Sequence, residues 1–159
     1  MGLLYCIVYI LLLGILCFPF GRLLALHTFR TNRFPFRAYS FEREGKIYEH
    51  LRIRVWARKV PDVSKLVPSI VPPKKPPVRT DAFTIRQMVN ETCVAEVTHV
   101  ILCFAGIELM ELWPGAGGVI LFILYVILGN LPFILIQRYN RPRLLRLLAH
   151  TENKESQQR

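Results

Sequence analysis

The chain alternates between long apolar blocks and basic polar ones, and no charged residue interrupts the first apolar block. Gly2 to about Phe20 is an uncharged run rich in Leu and Ile. Its length is close to the roughly 20 residues a helix needs to cross a bilayer. A second stretch, Cys93 to Trp113, is mostly apolar but carries Glu96, His99, Glu108 and Glu111. A third, Val119 to about Ile136, has no charge, although Gly129, Asn130 and Pro132 interrupt it. Trp113-Pro114-Gly115-Ala116-Gly117-Gly118 between them reads as a turn, so the last two stretches form a helical hairpin. The pattern predicts an all-α membrane protein with three transmembrane helices. One is an N-terminal anchor and two form the C-terminal hairpin.

The polar segments have their own grain. Phe29, Phe34, Phe36, Tyr39 and Phe41 lie among positive charges at the start of the long one. From Glu42 to Lys59 the apolar residues Tyr48, Leu51, Val55 and Trp56 fall at helix spacing, with Arg52, Arg54 and Arg58 among them. This predicts an amphipathic cytoplasmic helix, either in the headgroup layer or packed on other protein. Val60-Pro61-Asp62 ends it. Pro68, Pro72, Pro73, Pro76 and Pro77 then surround Lys74 and Lys75, which reads as an extended linker over 68–79. Thr80 or Asp81 is placed to cap a following helix. The resulting division is 1–27 anchor, 28–90 basic segment, 91–148 hairpin with the candidate site, and 149–159 polar, frayed tail.

Charge fixes the expected orientation. Lys and Arg number 21 against 11 Asp and Glu in 159 residues, yet no basic residue precedes Arg22 and none lies between Arg86 and Arg138. Basic loops stay on the cytoplasmic side, so 28–90 and the C-terminus are expected inside a cell membrane, and the N-terminus outside. Three spans satisfy both ends. The first block lacks the basic start and small-x-small site of a cleaved signal peptide, which predicts a retained anchor. A pI near 9.9 could also signal nucleic acid. These basic runs abut apolar spans, however, so anionic headgroups or anionic substrates are the expected partners, and nucleic acid is not. Cys6, Cys17, Cys93 and Cys103 lack metal-type spacing and read as small packing residues.

The polar residues inside the apolar stretches are the candidates for chemistry. At 100° per residue, Glu91, Thr92, Glu96 and His99 fall within an arc of about 140°. An ionisable group at the centre of a spanning helix costs about 2.5–3.5 kcal/mol, so it marks a site more often than not. Glu96 and His99 lie one turn apart, and a carboxylate there can orient a histidine acting as general base. The alternative is a polar helix entry below the membrane. Glu96-x-x-His99 is also half of a carboxylate-bridged di-metal signature, but no second half accompanies it, so no metal is expected. His27 and His50 have no matching spacing. Glu108 and Glu111 read as interfacial or, alternatively, as lining a polar pocket. Arg138, Arg141 and Arg143 lie directly under the third span, as topology anchors or as forked donors to phosphate. Asn130 before Pro132 frees backbone groups within a span, which is tolerated only against protein or a cavity. His150-x4-Glu155 faintly mimics a glycerolipid acyltransferase motif but has no supporting context.

Three segments together resemble one family. They are Glu44-Gly45-Lys46-Ile47-Tyr48-Glu49-His50-Leu51-Arg52-Ile53-Arg54-Val55-Trp56 with Val60-Pro61, then Glu91-Thr92-Cys93-Val94-Ala95-Glu96 with His99, then Asn130-Leu131-Pro132-Phe133 with Gln137-Arg138-Tyr139-Asn140-Arg141. Their order and spacing, over about residues 40–148, resemble the glycosyl-4,4'-diaponeurosporenoate acyltransferases. The resemblance implies transfer of a fatty acyl chain to the glucose of a glycosylated carotenoid in the bacterial membrane, the last step towards staphyloxanthin. It supplies a function and positions, and no residue roles.

The expected function is therefore a membrane acyltransferase acting on a sugar hydroxyl of a glycosylated carotenoid or similar glycolipid. His99 is the expected general base, oriented by Glu96 or Glu91. Arg138 and Arg141 are expected at the donor's phosphates or the oxyanion, with Asn130, Gln137, Asn140, Tyr48 and Trp56 also binding substrate. No cofactor is expected beyond an acyl thioester as co-substrate. The expected partners are membrane lipids, the glycolipid acceptor, the acyl donor and other enzymes of the pathway. The competing function is a non-catalytic protein that binds or scaffolds lipid-modifying enzymes.

Overall fold

The structure is a computed structural model that describes residues 1–57 and 81–157. All regular structure among the described residues is helical. Three helical stretches are long and apolar enough to cross a membrane: Gly2–Ala25, Ala82–Leu112 and Ala116–Gln157. The expected all-α class with three spans therefore holds. The chain packs as two compact units, residues 1–28 with 94–137 and residues 29–93 with 138–159, so segments distant in sequence share a unit.

In the first unit, α1 (Gly2–Ala25) packs with the hairpin. The hairpin's closed end consists of α5 (Glu108–Leu112), a turn, and α6 (Ala116–Leu124). Gly115 turns the chain at φ 97°, a left-handed conformation that favours glycine. Gly118 is buried where a Cβ would stand 2.2 Å from the Trp113 carbonyl oxygen, so only glycine lets the two arms approach. The Trp113 ring fills the space over Gly2 and Gly117. Tyr9 donates its hydroxyl to the Ala105 carbonyl at 3.0 Å, and the buried Cys6 thiol approaches the Leu109 carbonyl at 3.7 Å. All four cysteines are free thiols. Leu3, Leu4, Ile7, Val8, Leu11 and Leu12 of α1 face outward. Such a surface suits lipid as solvent. Glu108 and Glu111 of α5 are exposed.

In the second unit, the single amphipathic helix expected over Glu42–Lys59 is broken within its described part, residues 42–57. A 3-10 turn (Ser40–Gly45), α2 (Ile47–His50) and α3 (Ile53–Trp56) replace it. Gly45 at φ 89° and Arg52 at φ 50° break the run. The physical reason is burial. Tyr48 and Ile53 are both buried, and five residues apart they would point about 140° from each other on one continuous helix. The left-handed residue at 52 turns both inward. Val60-Pro61 and the proline-rich linker lie outside the described residues.

The second apolar helix, α4 (Ala82–Ala105), begins eleven residues before the expected Cys93. Asp81 accepts a hydrogen bond from the Thr84 hydroxyl at 2.5 Å. That bond, with the Phe83 and Thr84 N–H groups, holds the Asp81 carboxyl below the usual range. Ile85, Met88 and Val89 are buried at helix spacing, which extends the helix into the polar segment. The described part of the expected frayed tail is also helical, because α7 (Leu131–Gln157) runs on into it. Arg86 pairs with Glu152 at 2.6 Å, and Glu155 accepts the Ala82 N–H at 3.2 Å, so side chains of the last turns reach the start of α4.

Candidate functional site

The first unit holds one polar cluster among apolar side chains. α6 passes into a π-helical segment, Tyr125–Asn130, before α7. Pro132 explains the widened turn: it has no N–H to give back, and its ring crowds the carbonyl four residues earlier. Asn130 is 2% exposed. Its amide Nδ2 donates to the Tyr125 carbonyl at 3.1 Å. That bond fixes the amide, so Oδ1 faces the His99 Nδ1 at 3.0 Å. An oxygen there can only accept, so Nδ1 carries the ring proton and Nε2 keeps its lone pair. The imidazole stacks on Phe133, with centroids 4.5 Å apart and planes within 7°. Asn130 thus sets the tautomer of the ring, with Nε2 as its acceptor, and Phe133 sets the plane of the ring.

The expected orienting groups differ. Among the described residues the partner of the His99 ring is Asn130, and neither Glu96 nor Glu91 is bonded to it. Glu96 is buried and Glu91 half-buried on α4, and both are engaged elsewhere. Gln137, also of this unit, is half-buried.

The second unit gathers the arginines. Glu42 is 2% exposed. Its Oε1 accepts Arg138 Nε at 2.5 Å and the Tyr48 hydroxyl at 2.5 Å, while Oε2 accepts the Tyr39 N–H at 2.9 Å. Burial pushes the Glu42 carboxyl up, but Arg138, Tyr48 and the Tyr39 N–H outweigh it and hold it below the usual range. Burial and the neighbouring Glu42 carboxylate push the Tyr48 phenol up to about 12. Arg138 also donates to the Pro35 carbonyl at 3.2 Å and sits over the Tyr39 ring. Arg141 is 3% exposed and saturated within the unit. Nε and Nη2 donate to the Thr92 hydroxyl and carbonyl at 2.9 and 3.0 Å, and Nη1 donates to the Phe36 carbonyl at 3.1 Å.

This geometry gives Arg138, Arg141 and Tyr48 a different place from the one expected of substrate-binding groups. They tie the 29–57 segment to α4 and α7. Asn140 is half-buried beside them in sequence, and the Trp56 indole N–H is turned to the Leu51 carbonyl at 2.9 Å. Residues to which sequence reasoning gave no role carry much of the arrangement: Glu42, Tyr139, Phe133 and Tyr125. Glu42 did offer a signal. It is one of five acidic residues among fourteen Lys and Arg over 28–90.

The model of one family, described as glycosyl-4,4'-diaponeurosporenoate acyltransferase, matches residues 32–150. That span contains every candidate site residue named above. The chain belongs to this family. Relatives of the same name occur in Staphylococcus aureus. The protein of strain N315 is 32% identical over 128 residues, covering 76% of this chain and 72% of the relative. That of strain Newman is 31% identical over 134 residues, covering 79% and 75%. No solved structure matches the chain. Family membership makes this protein an acyltransferase, which decides between the enzyme and the scaffold in favour of the enzyme.

Proposed function

We propose that this acyltransferase moves a fatty acyl group from a thioester donor to a sugar hydroxyl of a glycosylated carotenoid or a closely related glycolipid. It would act at the cytoplasmic side of the cell membrane, with the N-terminus outside and the C-terminus inside. The relatives' name supports the acceptor class, and the confinement of basic residues to 22–86 and 138–159 supports the orientation.

The observation that carries the mechanism is the bond between His99 Nδ1 and an Asn130 amide locked by the Tyr125 carbonyl. It leaves Nε2 as a proton acceptor. The sugar hydroxyl gives its proton to Nε2 as its oxygen attacks the thioester carbonyl. The tetrahedral intermediate then collapses, the C–S bond breaks, and the thiolate leaves with the proton held on Nε2. The products are an ester and a thiol. Asn130 is a positioning residue in this scheme.

The test is turnover by purified protein with an acyl thioester and a glucosylated polyene. His99→Ala should leave the protein in the membrane at normal level and lower turnover by about 10²–10⁴-fold, the usual loss with a general base. Near-normal turnover by His99→Ala would reject the mechanism.

A further inference from the structure

We propose that the ring face of Phe133 stabilises the positive charge that His99 gathers during acyl transfer, which makes Phe133 a further positioning residue and rests on the general-base reading above.

The charge balance of the transfer creates the need. As the sugar hydroxyl gives up its proton, the neutral imidazole becomes an imidazolium, and it stays one until the thiolate leaves. His99 stands in an apolar span, where a bare cation is costly. In the serine-protease arrangement a buried carboxylate behind the histidine offsets that cost. Here the group behind the ring is the Asn130 amide, whose oxygen lies 3.0 Å from Nδ1 and carries no net charge.

The other contact of the imidazole is aromatic. It lies flat against the Phe133 ring, with centroids 4.5 Å apart and planes within 7° of parallel. A phenyl ring is negative on its faces and positive on its rim. A cation within about 6 Å of the ring centroid is attracted to the face. The neutral imidazole gains far less from the same contact. The attraction therefore acts mainly on the transition state and raises kcat without tightening ground-state binding.

Local backbone geometry delivers both contacts. The π-helical segment ends at Asn130, and α7 opens at Leu131 with Pro132 next. Asn130 and Phe133 are three residues apart, so they share one side of the helix. One takes the edge of the imidazole and the other its face. An aliphatic side chain at 133 would also hold the ring plane by packing, but it has no quadrupole. Plane and charge are therefore separable by chemistry.

Fluorine separates them, because each fluorine drains electron density from the ring face with little change of shape. The full chain in detergent micelles would carry mono-, di- and trifluorophenylalanine in turn at position 133. Turnover is measured with an acyl thioester and a glucosylated polyene. The value of kcat should fall stepwise along the series, by roughly 2- to 30-fold in all, the range that cation–π contacts span. KM for both substrates should stay within about twofold, since the charge is absent from the ground state. Phe133→Leu should lose about as much as the trifluoro ring, and Phe133→Tyr, which keeps the face, should recover most of it. In a His99→Ala background the series should be flat, because Phe133 acts through the imidazole. A flat series in the parent overturns the proposal even where Phe133→Leu is slow, since that loss is then packing. A series that falls equally in the His99→Ala background overturns it too. Near-normal turnover by His99→Ala removes the general-base reading and this inference with it, whereas a flat parent series beside a disabled His99→Ala removes this inference alone.

Discussion

Replacing Glu42 with Leu should open the segment of residues 29–57. The Glu42 carboxylate accepts three hydrogen bonds, from Arg138, Tyr48 and the Tyr39 N–H. The Arg138 and Glu42 side chains are 12% and 3% exposed, so water is poorly placed to replace what is lost. Removing one partner of such a pair costs about 3–5 kcal/mol, because a buried charge is left uncompensated. At about 1.4 kcal/mol per tenfold, the open population rises by roughly two to nearly four powers of ten. Trypsin reads this directly, since Arg30, Arg33, Arg37 and Lys46 lie in the segment. Cleavage tracks the open population while reclosing outruns cutting. Glu42→Leu with Arg138→Met should recover much of the resistance, because apolar groups replace both charges. The reasoning fails if Glu42→Leu resists trypsin as well as the parent does, or if the double variant is cut faster than the single one.

Four further outcomes follow from the same contacts. Asn130→Leu should lower kcat while leaving the donor KM unchanged, and Asn130→Asp should recover much of it, since a carboxylate oxygen also accepts from Nδ1; a loss shared equally by both variants would reduce Asn130 to packing. Alkaline absorbance should show one tyrosine ionising near pH 12 that disappears in Tyr48→Phe. The depressed Glu42 carboxyl stabilises the fold fully above its unfolded value of about 4.3, and that contribution is lost as pH falls through the lower folded value. Tyrosine near-UV circular dichroism should therefore decay at more acid pH than this, and earlier in Arg138→Met. Gly118→Ala puts a methyl against the Trp113 and Leu109 carbonyls, at 2.2 and 2.7 Å, so the hairpin should lose about 1–3 kcal/mol and melt lower in detergent.

The three spans were legible because a bilayer demands long uncharged runs, and 2–20 and 119–136 supply them. The polar cluster on α4 was legible for the complementary reason, that His99 is costly where it stands. Its partner was not legible. Asn130 lies 31 residues from His99, and helical periodicity ties His99 only to neighbours on its own helix, which pointed to Glu96. The interruption at Gly129, Asn130 and Pro132 was visible, but not the π-turn that aims the amide. The segment 42–59 misled because apolar spacing describes a helix whether or not the backbone stays in one piece. The left-handed Arg52 has no sequence signature of the kind a glycine gives.

The arginines under the third span show how one run of charge divides into two kinds of work. Counting 100° per residue along α7, Arg138 and Arg141 fall within about 60° of each other. Tyr139, Arg143 and Arg146 fall within a different arc of about 60°, centred roughly 140° away. The first face meets Glu42, Thr92 and the Phe36 carbonyl, and its charge is spent on holding the unit together. The second face meets Glu49 and Arg54 across Tyr139 and borders a surface cleft. Topology requires only that positive charge lie on the inner side, and any of the four satisfies it. Burial then decides which of them is structural. A residue 3% exposed with all three nitrogens engaged, such as Arg141, is unavailable to a ligand, whereas Arg143 keeps a third of its side chain exposed. The helical phase of a basic cluster therefore carries more functional information than its position at the end of a span.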